Sequence, residues 1–208
     1  MDNLIHNGEL KKTLWFIYLS ERLDIAAECE KFLSSRGFAG VQVSPPAKNV
    51  IVRSENILKP WWERYQPVSY KLEKRSGNEA AFVDMVRRCN AVGVRIYVDI
   101  LLNIISATNG TGTDGTVVST RRNFPAVPYG NALFIRICEL VGLPDLNVTR
   151  QNVRQHLIDY MNHLIDLRIA DFRADAMKHM FPEDLDYMFS RLRNLNTVHG
   201  FAAYQKHF

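Results

Sequence analysis

With 208 residues, 47% of them hydrophobic and 23% charged, the chain can bury one good core and carries no low-complexity tract. Its 26 basic and 22 acidic residues leave a net charge of +4 with no Lys/Arg block, which argues against nucleic-acid binding. No run of about 18 apolar residues occurs, so no segment reads as a membrane-spanning helix.

Residues 1–12 are polar and unpatterned and read as a loose arm. Thr13-Leu-Trp-Phe-Ile-Tyr-Leu19 follows two lysines, as a signal-peptide core would. It lacks a small-residue cleavage site and runs into Ser20-Glu-Arg-Leu-Asp24, so no signal peptide is recognisable and the stretch reads as a first strand, 13–19. Asp24 to Ser35 has helical spacing, with Ile25, Cys29 and Phe32 on one side, Asp24 as N-cap and Gly37 as stop. Phe38 to Pro45 is a short buried strand ended by proline. This strand–helix–strand order, repeated, is what a parallel α/β sheet requires.

Pro60-Trp-Trp-Glu-Arg-Tyr-Gln-Pro67 reads as a loop between prolines. Its aromatics are either core filler or an exposed platform. Trp61 and Trp62, being adjacent, cannot both face one interior. Asn78 to Asn90 predicts a helix with Phe82, Met85, Val86 and Cys89 on its apolar side. Val94 to Asn103 predicts a strand with Tyr97, Asp99, Leu101 and Asn103 on one face, where Asp99 is either a paired core carboxylate or part of a site. Ser106 to Thr120 is rich in Gly and Thr but lacks the Gly-Lys-Ser/Thr ending of a phosphate loop. Gln151 to Leu167 is an amphipathic helix with Val153, Leu157, Tyr160, Met161 and Leu164 at helical spacing, and Glu183 to Leu195 is helical again.

Between those helices, a strand from Ile169 to Asp175 would set Ile169, Asp171, Arg173 and Asp175 on one face. Burying charge is costly unless it is paired or used. Arg173, two residues before Asp175, would keep that carboxylate ionised, which suits a nucleophile. On spacing alone, a solvated edge strand or a structural Arg–Asp pair is the plainer reading.

The wording Phe-Arg-x-Asp-Ala-x-Lys-His-Met-x-Pro, from Phe172 to Pro182, resembles the fourth-strand motif of animal α-amylases, retaining glycoside hydrolases built on a (β/α)8 barrel. Asp24-Ile-Ala-x-Glu-Cys-Glu30 and Gly37-x-x-Gly-Val-Gln-Val-Ser-Pro45 resemble that family's opening. The resemblance makes Asp175 the nucleophile and Arg173 a ligand of an activating chloride. It places Trp61, Trp62, Tyr65, Gln66, Lys178 and His179 at the substrate. It implies calcium held by Asn103, Asp145 and the backbone carbonyls of Arg136 and His179. It pairs Cys29 with Cys89 as a disulfide and leaves Cys138, the last of the 3 cysteines, without its family partner. Two family positions differ: Asp171 stands where the family has Gly, and Ile104 where it has a sugar-contacting His.

The implied fold is a partial (β/α)8 TIM barrel, with strands 1 to 4 or 5 and a shortened domain B after strand 3. Its parts are 1–103 (first part of the barrel), 104–148 (domain B) and 149–208 (barrel continuation). Phe124-Pro-Ala-Val-Pro-Tyr-Gly130 and Cys138-Glu-Leu-Val-Gly-Leu-Pro-Asp-Leu-Asn147 resemble the two ends of domain B. Where the family's fifth strand carries its acid/base Glu, the chain offers Phe201-Ala-Ala-Tyr-Gln-Lys206. That Glu and the third catalytic Asp are missing. The implied function is endo-hydrolysis of α-1,4 bonds in starch, glycogen and maltooligosaccharides by an extracellular enzyme, this chain itself being shortened and inactive. The alternatives are a carbohydrate- or calcium-binding remnant without activity, or a non-functional gene fragment. Asn109-Gly-Thr111 and Asn147-Val-Thr149 are glycosylation sequons for a secreted chain.

Overall fold

The structure, a computed structural model, describes residues 15–18, 22–54, 57–58, 60–106, 110–112, 117–118, 130, 136 and 143–194. The expectations for the N-terminal arm, Cys138, most of domain B and residues 195–208 lie outside them. In chain order the elements begin with β1 (Trp15–Tyr18), α1 (Arg22–Glu28), β2 (Gly40–Val43), β3 (Lys48–Ile51), β4 (Arg53–Ser54) and β5 (Ile57–Leu58). After a 3-10 turn at Trp61–Tyr65 come β6 (Pro67–Ser69), α2 (Glu79–Ala91), β7 (Arg95–Leu101), β8 (Gly110–Gly112) and β9 (Val117–Val118). The chain continues through α3 (Gln151–Asp166), β10 (Asp171–Asp175), a 3-10 turn at Met177–His179 and α4 (Pro182–Phe189).

The four strands expected from alternation form one sheet in the order β1-β2-β7-β10, and every pair in it is parallel. A second sheet, β6-β3-β8-β9, is antiparallel, and β4 pairs with β5. The Gly/Thr-rich stretch therefore supplies two short strands where the sequence reads as loop.

Helix α2 begins where Asn78 accepts a 3.1 Å hydrogen bond from the backbone N–H of Ala81, and it buries Phe82, Met85, Val86 and Cys89. Each such side chain contributes roughly 1.5–3 kcal/mol by leaving water. Helix α3 buries Leu157, Ile158, Tyr160, Met161, Leu164 and Ile165 against the same core. Gly40 meets β7 closely: a Cβ there would lie 2.4 Å from Cε2 of Tyr97, so only glycine lets that ring fill the space above β2.

Four expectations need correction. The first helix begins at Arg22, so Asp24 is not its N-cap, and it passes into a π turn over Cys29–Leu33. A π turn adds one residue to the helical repeat. Leu33, 2% exposed, therefore takes the inward place expected of Phe32, which is 40% exposed. Gly37 does end the segment, with φ +76°, while Phe38 donates back to the Leu33 carbonyl at 3.0 Å. The tryptophans sit on a 3-10 turn rather than an irregular loop. Helix α4 stops at Phe189, because the Arg191 guanidinium lies 3.7 Å over the Tyr187 ring and donates to the Tyr187 carbonyl at 3.0 Å.

Candidate active site

Register builds the site. β10 lies beside β7 with Asp171 opposite Tyr97, Arg173 opposite Asp99 and Asp175 opposite Leu101. On the other side of β7, Gln42 lies opposite Tyr97. Alternation then aims Gln42, Asp99, Arg173 and Asp175 to one face. Asp175 is the last residue of its strand, so the face opens at the C-terminal ends of the parallel strands. Sites in parallel α/β folds form at that end.

Asp99 is the hub. It is 1% exposed, and three donors converge on its carboxylate. Gln42 Nε2 donates to Oδ1 at 2.7 Å, while the Tyr65 hydroxyl and Arg173 Nη1 donate to Oδ2 at 2.7 and 3.1 Å. Arg173 Nη2 donates in turn to Asp175 Oδ1 at 2.9 Å. The network therefore runs outward from a buried carboxylate to one whose side chain is 30% exposed. Burial pushes the Asp99 carboxyl above its ordinary range, and the Tyr65 and Arg173 contacts offset this only in part. Burial and the hydrogen bond to Asp99 push the Tyr65 hydroxyl well above the usual phenol range. For Arg173, burial works to lower the pKa, but Asp99 and Asp175 outweigh it and hold the guanidinium firmly charged.

Chemically, this is a carboxylate held beside a fixed cation at the outer end of a hydrogen-bonded network, an arrangement that suits a nucleophile. Ala176, directly after Asp175, has φ 55° and ψ 25°, the left-handed conformation that turns the chain into the Met177–His179 turn. Lys178 is exposed and His179 is 3% exposed. Asp171 accepts from the N–H of Phe172 at 2.7 Å and stands opposite Tyr97, further from the strand end than Asp175.

The aromatic turn covers this end. Trp61 is 62% exposed and packs edge-on against Tyr65 with centroids 5.8 Å apart, Trp62 is half-buried, and Tyr65 reaches inward to Asp99. Gln66 accepts from the Ser106 hydroxyl at 3.3 Å. Of the residues assigned to calcium, Asn103 is 2% exposed, and neither polar atom of its side chain has a hydrogen-bond partner among the described residues. Asp145 is brought beside it by a bridge between Ile104 and Asp145 and by the Leu146 N–H, which donates to the Asn103 carbonyl at 2.6 Å. Arg136 is half-buried, with its guanidinium 5.6 Å from the Phe181 ring centroid. Among the described residues no group of three or more His, Cys, Asp and Glu converges on a metal position. The set implied by the resemblance relies instead on one carboxylate, Asp145, with an amide and backbone carbonyls.

Cys29 and Cys89 form a disulfide with Cα atoms 5.2 Å apart, tying the π turn after α1 to α2. Two site features escaped the sequence reading. Gln42 carries a signal in hindsight, a lone amide in an apolar strand. Glu63 and Arg64, 3% and 5% exposed, carry none, because their partners Arg75 and Ser76 are brought to them only by the fold. A groove of about 430 Å³ lined by Tyr70, Lys71, Leu72, Glu73, Asn78, Glu79 and His163 shares no residue with the charged network.

No family model matches the sequence. Among curated proteins, the chain is 54% identical over 200 residues to an α-amylase of Tribolium castaneum, covering 89% of this chain and 40% of that protein. It is 52% identical over 196 residues to an α-amylase-related protein of Drosophila bocqueti, covering 86% of this chain and 39% of that protein. Among solved structures, α-amylase I of Eisenia fetida superposes with TM-score 0.82 at 36% identity, over 91% of this chain and 43% of that one. The same enzyme bound to maltohexaose superposes with TM-score 0.80 at 37% identity, over 88% and 41%. The chain thus spans about two fifths of the length of these relatives. Over that span it is a homologue of the animal α-amylases and α-amylase-related proteins.

Proposed function

We propose that the chain forms the nucleophile-bearing side of a cleft for retaining cleavage of α-1,4-glucosidic bonds in starch, glycogen and maltooligosaccharides. In this reading residues 1–103 and 149–208 belong to a (β/α)8 barrel and residues 104–148 to a shortened domain B. The observation that carries it is the chain of contacts from Asp99 through Arg173 to Asp175 at the C-terminal strand ends. Asp175 attacks the anomeric carbon. Arg173 sets a positive charge beside it, and Asp99 fixes Arg173. Trp61, Trp62 and Tyr65 stack on sugar faces, while Gln66, Lys178 and His179 meet sugar hydroxyls. Retaining hydrolysis also needs a proton donor about 5–5.5 Å from the nucleophile. Asp99 does not serve, since its two oxygens are committed to Gln42, Tyr65 and Arg173.

Calcium fits the residues present. The amide oxygen of buried Asn103 has no partner among the described residues, and a hard cation takes such oxygens together with the Asp145 carboxylate and the carbonyls of Arg136 and His179. Bound there, it would supply a structural tie between the end of β7 and the segment carrying Asp145. A chloride at Arg173 would have to take the guanidinium N–H donors not already given to Asp99 and Asp175, against the repulsion of those two carboxylates. The disulfide suits an oxidising, extracellular setting. A second reading, glucan binding without turnover, would use the exposed Trp61 and half-buried Trp62, while Ile104, 3% exposed where the family has a sugar-contacting His, would weaken that binding.

An activated, ring-fluorinated α-glucosyl fluoride separates the two readings, because fluoride leaves without protonation and labelling then reads the nucleophile alone. Peptide mass mapping should find the glucosyl group on Asp175, and Asp175→Asn should abolish it. Maltohexaose binding, followed by tryptophan fluorescence, without labelling would establish the second reading. A folded chain that shows neither would overturn both.

A further inference from the structure

We propose that Asn147 is an N-linked glycosylation site whose acceptor geometry is already set by the fold of its own sequon. The Asn147 side chain accepts two hydrogen bonds at Oδ1, from the Thr149 hydroxyl at 2.5 Å and the Thr149 backbone N–H at 3.2 Å. A backbone N–H can only donate, so the atom facing it is the amide oxygen and Nδ2 is turned away from the turn. Asn147 and Thr149 are exposed, while the central Val148 is 8% exposed and anchored in the core. Burying the middle residue turns the two reactive ones outward. The segment is clamped in place: Leu146 donates to the Asn103 carbonyl at 2.6 Å, Ile105 to the Pro144 carbonyl at 3.1 Å, and Arg154 Nη2 to the Thr149 carbonyl at 3.1 Å.

The chemistry follows from the turn. A carboxamide nitrogen is a poor nucleophile because its lone pair is delocalised into the carbonyl. In transfer from a lipid-pyrophosphate-linked oligosaccharide, Nδ2 attacks the first sugar carbon and a C–N bond forms. The bond from that carbon to the pyrophosphate oxygen breaks, the pyrophosphate leaves with the electron pair, and the amide nitrogen loses one proton. The turn is closed by residues two apart, so a nascent chain can reach it transiently before the folded contacts hold it in place. Asn147 also lies just before α3, at the end of the sheet where β7 and β10 finish. A glycan there would stand at the rim of the candidate cleft and leave the core untouched.

The full chain, directed into the secretory route of insect cells behind a signal peptide, is digested and treated with peptide N-glycosidase, which marks each released asparagine by its conversion to aspartate. Mapping the whole-cell fraction together with the medium scores occupancy whether or not a variant folds well enough to leave the cell. The expected result is marking of the peptide spanning Asn147, lost in Asn147→Gln and Thr149→Ala and retained at lower occupancy in Thr149→Ser. An unmarked Asn147 peptide from the unsubstituted chain would overturn the proposal. Marking that survives Thr149→Ala would overturn the role given to the turn.

Discussion

Two buried charge clusters meet at one aromatic turn and differ in where they lead. Tyr65 reaches Asp99, and from there the contacts pass through Arg173 to a carboxylate at the surface. The preceding residues, Glu63 and Arg64, point into a closed set. Glu63 pairs with Arg75 and accepts from the Val52 N–H at 3.3 Å. Arg64 donates to Ser76 at 2.6 Å, and nearby Lys74 donates to the Pro45 carbonyl at 2.5 Å. Buried charge by itself therefore does not mark a site. A cluster satisfied by backbone and by itself holds a turn, whereas one that delivers a carboxylate to the surface is placed for chemistry.

Substitutions that separate stability from reactivity test this contrast. The largest effect on stability belongs to neither cluster: Cys29→Ser opens a loop of sequence separation 60, which should cost about 4 kcal/mol in chemical denaturation. Glu63→Ala leaves Arg75 without its carboxylate and should cost about 3 kcal/mol. If the contrast holds, it should leave glucosyl labelling of Asp175 intact once the protein is folded at low temperature. A loss of labelling in step with unfolding would mean that the two clusters act as one.

Asp99→Asn keeps the shape and removes the charge, and should cost about 1–2 kcal/mol at neutral pH. Its effect on pH dependence is sharper. Because burial raises the Asp99 pKa above the ordinary 3.8, the folded state keeps a proton that the unfolded chain has released. The stability this contributes is fully present below the ordinary value and is lost as pH rises through the raised one. Denaturation midpoints across that window should fall with pH more steeply in the original chain than in Asp99→Asn, and equal slopes would contradict the assignment. The smallest stability effect is expected from Asp175→Asn, under about 1 kcal/mol, because its pair with half-exposed Arg173 is largely solvated. A larger loss would move Asp175 into the structural class.

The elements with strong periodicity were legible. All four core residues expected of α2 are buried, and the alternation from Ile169 to Asp175 correctly put Arg173 and Asp175 on one face. Phe32 was misplaced because a π turn changes the repeat without any residue that announces it. Glu63 and Arg64 went unmarked in a loop read for its aromatics, because their partners lie 12 residues away and meet them only through the fold. Asp99 stood out as a charge in an apolar strand. That it would join Gln42, 57 positions before it, to Arg173, 74 after it, depended on strand order and register, which spacing does not encode.

Ala176 has a consequence for how sharply Asp175 is aimed. A left-handed alanine costs roughly 1–2 kcal/mol relative to an ordinary helical or extended one. The chain tolerates it because Met180 and His179 just beyond are buried at 3% exposure and fix where the turn must go. The strained residue thus works as a detent. Packing beyond it closes off the helical and extended wells that alanine would otherwise prefer, and the carboxylate one position earlier inherits that narrowness. Glycine at 176 would relieve the strain and open those wells, so the same position would exchange aim for ease. Such a change would lower the entropy of no folded contact, yet it would widen the spread of angles from which Asp175 approaches a sugar.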